Sequence, residues 1–349
     1  MKAPILIILL AFRALLVTAQ ETVTKVENVI NEYFTTTGFS GTILVAKNGL
    51  PIYERSFGYA NLKAEVSNSN DSRYAIASVT KMFTSIRILQ LVQQGDLSLD
   101  ASAHQILNEF DINPDITIHH LLLHISGLPN ENDIIYRKKT NPRAFVESTL
   151  RNKSKTKIGE FNYNNLDYVL LGLIIEKTTG STWQKNITEH IIMPLNMANT
   201  GYLELGNYPK NYSYPYTQKG KKLKKDRSFY IENFYAAGCM YSTANDLKKL
   251  DQALYTEKLL NNSSKKMLTV SYPEFNYTGY GVWNYQYPFI NSYPTVMERR
   301  GGIKGSNVVL IRLTDQNYTI IILSNDNRFN PDSFGDDTNL REMIIKALY

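Results

Sequence analysis

One cysteine, Cys239, is all that the 349-residue chain contains. No internal disulfide can form, so the fold must be held by its core alone. The lone thiol reads as a small buried residue rather than a nucleophile. Paired-cysteine and His-Glu-x-x-His motifs are both missing, which removes the usual grounds for a zinc site. The Gly-x-Ser-x-Gly elbow of the commonest serine hydrolases is missing too. The glycines of "RRGGIKGSN" at 299–307 have neither the Walker spacing nor the dinucleotide spacing. No cofactor or metal is therefore expected. Histidine is scarce, with five in all: His104, His119, His120, His124 and His190. The His119-His120 pair sits in the apolar, helical-looking "ITIHHLLLHISGLP" and reads as partly buried structural histidines rather than metal ligands. There is no internal repeat and no low-complexity linker.

Charge of one sign is only slightly in excess, with 38 Lys and Arg against 32 Asp and Glu. Part of the excess is the run "KGKKLKKDR" at 219–227. That run reads as a solvated loop, with a membrane surface or an acidic polymer as the alternative contact. No nucleic-acid partner is expected. The opening "MKAPILIILLAFRALLVTAQ" has a basic Lys2, an apolar stretch and small residues near Ala19 and Gln20. It reads as a secretory signal peptide over residues 1–20. Arg13 interrupts the apolar stretch and argues against a stable membrane span, which needs about 20 apolar residues. Nothing later is long and apolar enough to span. The expectation is an exported, periplasmic or secreted, protein without a lipid anchor.

The remaining 21–349 is long enough for an ample core. "GTILVAKNGLPIYERSFGYAN" at 41–61 reads as a hairpin turning at Asn48-Gly49. Val79, Met82, Phe83, Ile86 and Leu89 recur at helical spacing after Ser78, and Gly95 ends that pattern. Leu166, Val169, Leu170, Leu173 and Ile174 mark a second helix closed by Gly180. "SNVVLIRL" and "YTIIILSN" flank a short turn as a buried antiparallel pair, and a helix with Leu340, Met343, Ile344, Ala347 and Leu348 on one face ends the chain. Strands, helices, strands and a last helix do not alternate as a doubly wound parallel fold does. The order predicts an α+β architecture. One antiparallel sheet comes from about 21–75 and 236–349, and a helical part over about 76–235 is inserted between them.

Within that frame "YAIASVTKMF" at 74–83 places Ser78 three residues before Lys81. At the start of a helix the serine lies at the positive end of the dipole, and its N–H can face an oxyanion. The lysine is one turn on, on the same face. Burial beside other cations lowers a lysine's proton affinity, which would let it take the serine proton. Ser78 as a plain helix cap is the competing reading from this stretch alone.

Several further segments bear on the choice. "YAIASVTKMFTSIRILQLVQQGDLSLD" resembles the first active-site motif of the serine β-lactamase and penicillin-binding protein superfamily, in its class-C-like branch of DD-peptidases and esterases. "GFSGTILVAKNGLPIYERSFGYAN" is similar to that family's opening hairpin, and "ITIHHLLLHISGLP" to its "LLxHtSGLp" segment. Tyr163-Asn164-Asn165 in "FNYNNLDYVLLGLIIEKTTG" resembles its Tyr-x-Asn motif. "AAGCMYSTANDL" resembles a glycine-rich segment before a helix, with Cys239 where a glycine is common. "RRGGIKGSN" sits where the third motif belongs. The resemblance spans almost the whole mature chain.

The resemblance implies a β-lactamase/transpeptidase-like sheet flanked by helices, with the site in the cleft beside a helical subdomain. It implies that Ser78 attacks a carbonyl and becomes acylated. Lys81 and Tyr163 would share the proton traffic, and Asn165 would orient Lys81 and bind substrate. The N–H groups of Ser78 and Gly302 would form the oxyanion hole. The family's third motif is usually Lys-x-Gly or His-x-Gly; here it is Arg299-Arg300-Gly301, or begins at Arg300 if the register is one residue off. An arginine cannot shuttle protons near neutral pH. Arg299 is expected to hold an anionic group on the substrate, with poising of Tyr163 and Lys81 as its alternative role. Arg300 and Gly301 would complete the substrate-binding strand. Two functions follow: a serine hydrolase acting on a small ester, amide or peptide, or a catalytically weak relative that binds a cell-wall-like ligand or partner. The tyrosine-rich stretches 207–218 and 272–289 read first as packing, with walls of an acyl- or glycan-binding cleft as the alternative.

Overall fold

The structure, a computed structural model, describes residues 3–220 and 222–349, with side chains from residue 20 onward. The leader expected over residues 1–20 falls, apart from Gln20, outside the described side chains. Among the described residues no helix is long and apolar enough to cross a membrane.

Strands β1 (Gly41–Lys47) and β2 (Leu50–Phe57) form the anticipated hairpin. Its turn residues Asn48 and Gly49 have φ of 51° and 77°, the left-handed pair that matches the twist of a two-residue hairpin. Four strands from the last part of the chain join them: β3 (Trp283–Gln286), β4 (Thr295–Ile303), β5 (Ser306–Leu313) and β6 (Tyr318–Ser324). The order is β3-β4-β5-β6-β1-β2, antiparallel throughout, so the two ends of the chain meet where β1 pairs with β6.

The central strands are apolar on both faces because both are covered. Ile43, Val45, Val309, Ile311, Ile320 and Ile322 face one side. There they meet Val26 and Ile30 of helix α1 (Ala3–Thr37) and Ile344 and Ile345 of the C-terminal helix Leu340–Ala347. Leu44, Ala46, Val308, Leu310, Ile321 and Leu323 face the other side and merge into the core of the inserted helices. Full burial of one such side chain contributes about 1.5–3 kcal/mol, which lets the chain dispense with disulfides.

Two inserted helices matter most. Helix α2 (Thr80–Gln94) is buried from Thr80 through Gln90 and on to Leu91, and ends at Gly95 with φ 81°. Its polar side chains are satisfied internally: the Thr84 hydroxyl donates to the Ala236 carbonyl at 2.8 Å, and Arg87 Nε to Asn186 Oδ1 at 3.0 Å. Helix α3 (Leu166–Thr179) packs against α2 and ends at Gly180 with φ 68°.

Three expectations are corrected. The basic run 219–227 is not a plain loop, because Tyr216–Lys219 and Lys222–Lys225 pair as a small exposed hairpin. The inserted part is not wholly helical, since this hairpin and Gly201–Tyr202 lie inside it. Ser78 is not in the long helix but in a 3-10 turn, Ala77–Val79, that leads into it. His119 and His120 occupy the short helix Ile118–Leu122. His119 Nδ1 is 2.6 Å from the Tyr280 hydroxyl, and His120 closes a capping box with Thr117. Cys239 is buried, and burial pushes its thiol up to about 12.

Candidate active site

The turn that carries Ser78 is held from below by the sheet. Ala77 has φ 46°, a strained angle for a residue with a Cβ that persists only where surroundings impose it. Strand β4 imposes it, passing so close that a Cβ on Gly301 would lie 2.6 Å from the Ile76 carbonyl and 3.0 Å from the Ser78 nitrogen. Glycine at 301 is therefore a packing requirement. The Ser78 hydroxyl caps no helix; it points into a cleft of about 340 Å³ lined by Ser78, Tyr163, Trp283, Arg300, Gly301, Gly302 and Asp332.

Two groups meet the Ser78 Oγ. Lys81 Nζ approaches to 3.2 Å and the Tyr163 hydroxyl donates at 2.9 Å. Lys81 is completely buried, and also donates to Asn165 Oδ1 at 2.8 Å and to the Ala237 carbonyl at 2.9 Å. Burial lowers its proton affinity, and the charge of Arg299 lowers it further against the opposing pull of Tyr163 and Glu131. Asn165 precedes α3 without capping it, so its amide is free for Lys81 on one side. On the other side its Nδ2 donates to Glu131 Oε1 at 2.6 Å, and the Tyr136 hydroxyl donates to the same oxygen at 2.7 Å.

Arg299 stands on β4 directly behind the tyrosine. Its Nη2 donates to the Tyr163 hydroxyl at 2.6 Å and its Nε to the Ser78 carbonyl at 2.9 Å. The side chain is buried, with Trp283 over its guanidinium at 4.7 Å. Burial by itself raises the phenol of Tyr163, but Arg299 first and Lys81 second overcome it and bring the group down to about 8. The register that puts Arg299, not Arg300, on Tyr163 is therefore the one the fold adopts. Arg300 does not touch the tyrosine oxygen; it lies on the cleft wall in ion pairs with Glu298 at 2.8 Å and Asp332 at 3.0 Å.

A histidine lies under the tyrosine ring. His124 is buried, its ring centroid 4.3 Å from that of Tyr163, and its Nδ1 is 3.2 Å from Asp167 Oδ2. Burial and the nearby Lys81 and Arg299 charges hold it well below its ordinary value, so it is neutral. Among the described residues no cluster of His, Cys, Asp and Glu could hold a metal ion.

Sequence reasoning missed Glu131, the Ala237 carbonyl, Trp283 and the His124–Asp167 pair. Glu131 follows the "SGLP" segment by two residues, and that adjacency to a segment similar to the family's is the one hint the sequence offers. The tyrosine-rich stretches part company. Residues of 272–289 line a neighbouring cleft that shares Tyr163, Trp283 and Arg300 with the Ser78 cleft, whereas Tyr208, Tyr212 and Tyr214 pack together elsewhere.

A serine and a tyrosine facing a cleft, joined by a buried lysine at the edge of a helix-flanked antiparallel sheet, define a serine hydrolase of the acyl-transferring kind. Comparison with known proteins agrees. The sequence model of the family described as Beta-lactamase matches residues 26–343, and the chain belongs to that family. It is 28% identical over 335 residues to penicillin-binding protein 4* of Bacillus subtilis, covering 88% of this chain and 71% of that one. It is 29% identical over 302 residues to protein flp of Staphylococcus aureus, covering 82% of this chain and 59% of the other. The crystal structure of a penicillin-binding protein from Bacillus halodurans superposes with a TM-score of 0.76 at 26% identity, over 91% of this chain and 99% of that one.

Proposed function

We propose that the protein acts after export and hydrolyses a small ester, amide or peptide through an acyl-enzyme on Ser78. The observation that carries this is the convergence of Lys81 Nζ and the Tyr163 hydroxyl on the Ser78 Oγ, with Arg299 bound to the tyrosine oxygen. Tyr163 in its phenolate form takes the Ser78 proton as Oγ bonds to the substrate carbonyl carbon, and the carbonyl π pair moves onto oxygen. That oxyanion is received by the backbone N–H groups of Ser78 and Gly302, which share the cleft. As the tetrahedral carbon collapses, the bond to the leaving group breaks and the leaving group takes the proton from Tyr163. Water then attacks the ester carbonyl, gives its proton to Tyr163, and Ser78 is re-protonated as the acid departs.

Arg299 is the poising cation in this scheme rather than a ligand for a substrate carboxylate, because it is buried behind Tyr163, bound to the tyrosine oxygen and the Ser78 carbonyl, and does not line the Ser78 cleft. Asn165, braced by Glu131, keeps Lys81 aimed at the serine. A penicillin-type amide belongs to the proposed substrate class, as the relatives' names suggest. Export rests on the basic-headed apolar segment 1–20. The test is mass spectrometry after exposure to a fluorophosphonate or a β-lactam, with a Ser78→Ala control. One adduct on Ser78 that the control lacks is expected. Absence of any adduct, combined with undiminished nitrophenyl acetate hydrolysis by Ser78→Ala, would overturn the mechanism.

A further inference from the structure

Beside the Ser78 cleft lies a second one, of about 510 Å³, and the two share Tyr163, Trp283 and Arg300. Its other walls include Phe161, Tyr277, Tyr285, Pro288 and Phe334. Several of these rings are held in place by groups outside the cleft. The Tyr285 hydroxyl donates to Glu298 at 2.9 Å and receives Arg341. Trp283 is backed by the guanidinium of Arg299 and stacks at 6.2 Å on Tyr163. At the rim, Asn276 and Tyr277 both have left-handed φ, 56° and 59°, an uncommon angle for a bulky residue. The Tyr277 amide and carbonyl are both hydrogen-bonded, to Tyr272 and Asn284. This strained and pinned turn leaves the Tyr277 ring 50% exposed, facing Tyr285 at 6.4 Å, while Phe334 is 47% exposed. Fixed aromatic faces left open to water, continuous with a nucleophile, are what a ligand pocket looks like.

The charge at the shared wall narrows the ligand. Arg300 is the cation there, and it is already bound to Glu298 and Asp332. It presents its flat face to Trp283 at 5.2 Å, and a substrate carboxylate there would have to compete with both of those carboxylates. We propose that this aromatic-walled cleft is a substrate subsite for an uncharged aromatic group, carried on the molecule whose carbonyl is attacked by Ser78. In its catalytic arm the proposal rests on the hydrolase reading above; its binding arm does not.

The catalytic arm compares the nitrophenyl esters of acetate and of 3-phenylpropionate on the wild-type chain and on the Tyr277→Ala/Phe334→Ala double variant. An aromatic ring seated among aromatic rings gains enough to raise the wild-type kcat/KM ratio of phenylpropionate to acetate to about tenfold, and the double variant brings that ratio down to near one. A third ester, with a carboxylate on the ring, gains nothing over acetate. A wild-type ratio near one, a ratio unchanged in the double variant, or preference for the charged ring would each overturn the subsite while leaving Ser78 chemistry intact. The binding arm needs no turnover. Trp183 is fully buried, so a change in tryptophan emission as 3-phenylpropionamide is added to Ser78→Ala reports on Trp283. The emission change is expected to saturate, with roughly fivefold weaker binding once Tyr277→Ala is added. No saturable change, or binding that ignores Tyr277→Ala, overturns the proposal even if no ester is hydrolysed. Melting of each variant is followed in parallel; if the double variant is unfolded, Tyr277→Ala alone serves in both arms.

Discussion

Replacing Arg299 by glutamine keeps a donor on β4 but removes the charge that faces Tyr163. The guanidinium binds the tyrosine oxygen at 2.6 Å, and it is the larger of the two cations that bring the phenol to about 8 against the opposing effect of burial. A hydrogen bond to a charged group contributes about 1.5–3 kcal/mol, and one pKa unit corresponds to about 1.4 kcal/mol. The variant's phenol should therefore titrate roughly one to two units higher. The active form is the phenolate, so activity rises as pH increases through the tyrosine's titration. In the wild type the rising limb of kcat/KM is expected near pH 8. In Arg299→Gln it moves up by those one to two units, and at pH 7 the rate on nitrophenyl acetate falls about 10- to 100-fold. The assay is kcat/KM from pH 6 to 10, corrected for spontaneous hydrolysis, on two matched substrates, one with a free carboxylate and one with its methyl ester. Equal losses on both fit a poising cation. A rising limb that stays in place, with a loss confined to the carboxylate substrate, would refute the reasoning and return Arg299 to substrate binding.

Tyr163→Phe deletes one hydroxyl and little volume; hydrolysis is expected to fall about 100- to 10,000-fold with the melting temperature nearly unchanged, and a loss below about threefold would mean that Lys81 works alone. Gly301→Ala drives a methyl against the Ile76 carbonyl and the Ser78 nitrogen; a destabilisation of about 1–3 kcal/mol in denaturant titration is expected, together with slower acylation. Cys239 is buried with its thiol raised to about 12, so a thiol reagent at pH 8 should label it only in denaturant; rapid labelling of the folded protein would contradict its placement.

Much of this architecture is local enough to be legible in sequence. The Asn48-Gly49 turn, the glycine stops at 95 and 180 and the apolar strand pairs of the last third are set by neighbours a few residues apart. Ser78 and Lys81 are legible as a pair one turn apart if a helix begins there, and the resemblance of the surrounding segments is what favours them over a plain helix cap. Asn165 and Tyr163 are legible through the family resemblance, but the meeting of Tyr163 with Ser78 and of Asn165 with Lys81 depends on how α3 packs on α2. What braces them is non-local. Glu131 reaches Asn165 across 34 residues, and the Ala237 carbonyl meets Lys81 across 156. No periodicity encodes such contacts. The basic hairpin at 216–225 escaped because lysines are weak strand formers, and its pairing is anchored from outside, where Asp226 accepts the Gly305 amide. The orientation of Arg299 could not be read either. Its partners are the tyrosine 136 residues earlier and the serine carbonyl 221 residues earlier.

The site is sewn from three separate stretches of chain: Ser78 from the 3-10 turn before α2 with Lys81 from the first turn of α2, Tyr163 and Asn165 from the entry to α3, Arg299 from β4. The middle stretch belongs to the inserted helical layer and the last to the sheet, with no disulfide across the seam. Proteins open piecewise, in units that come apart below the free energy of global unfolding. Any slippage between these two layers parts tyrosine from arginine before either layer melts. The catalyst is thus also a strain gauge for its own seam. In a heating series, hydrolysis is the first signal to fade, ahead of the loss of helix and sheet.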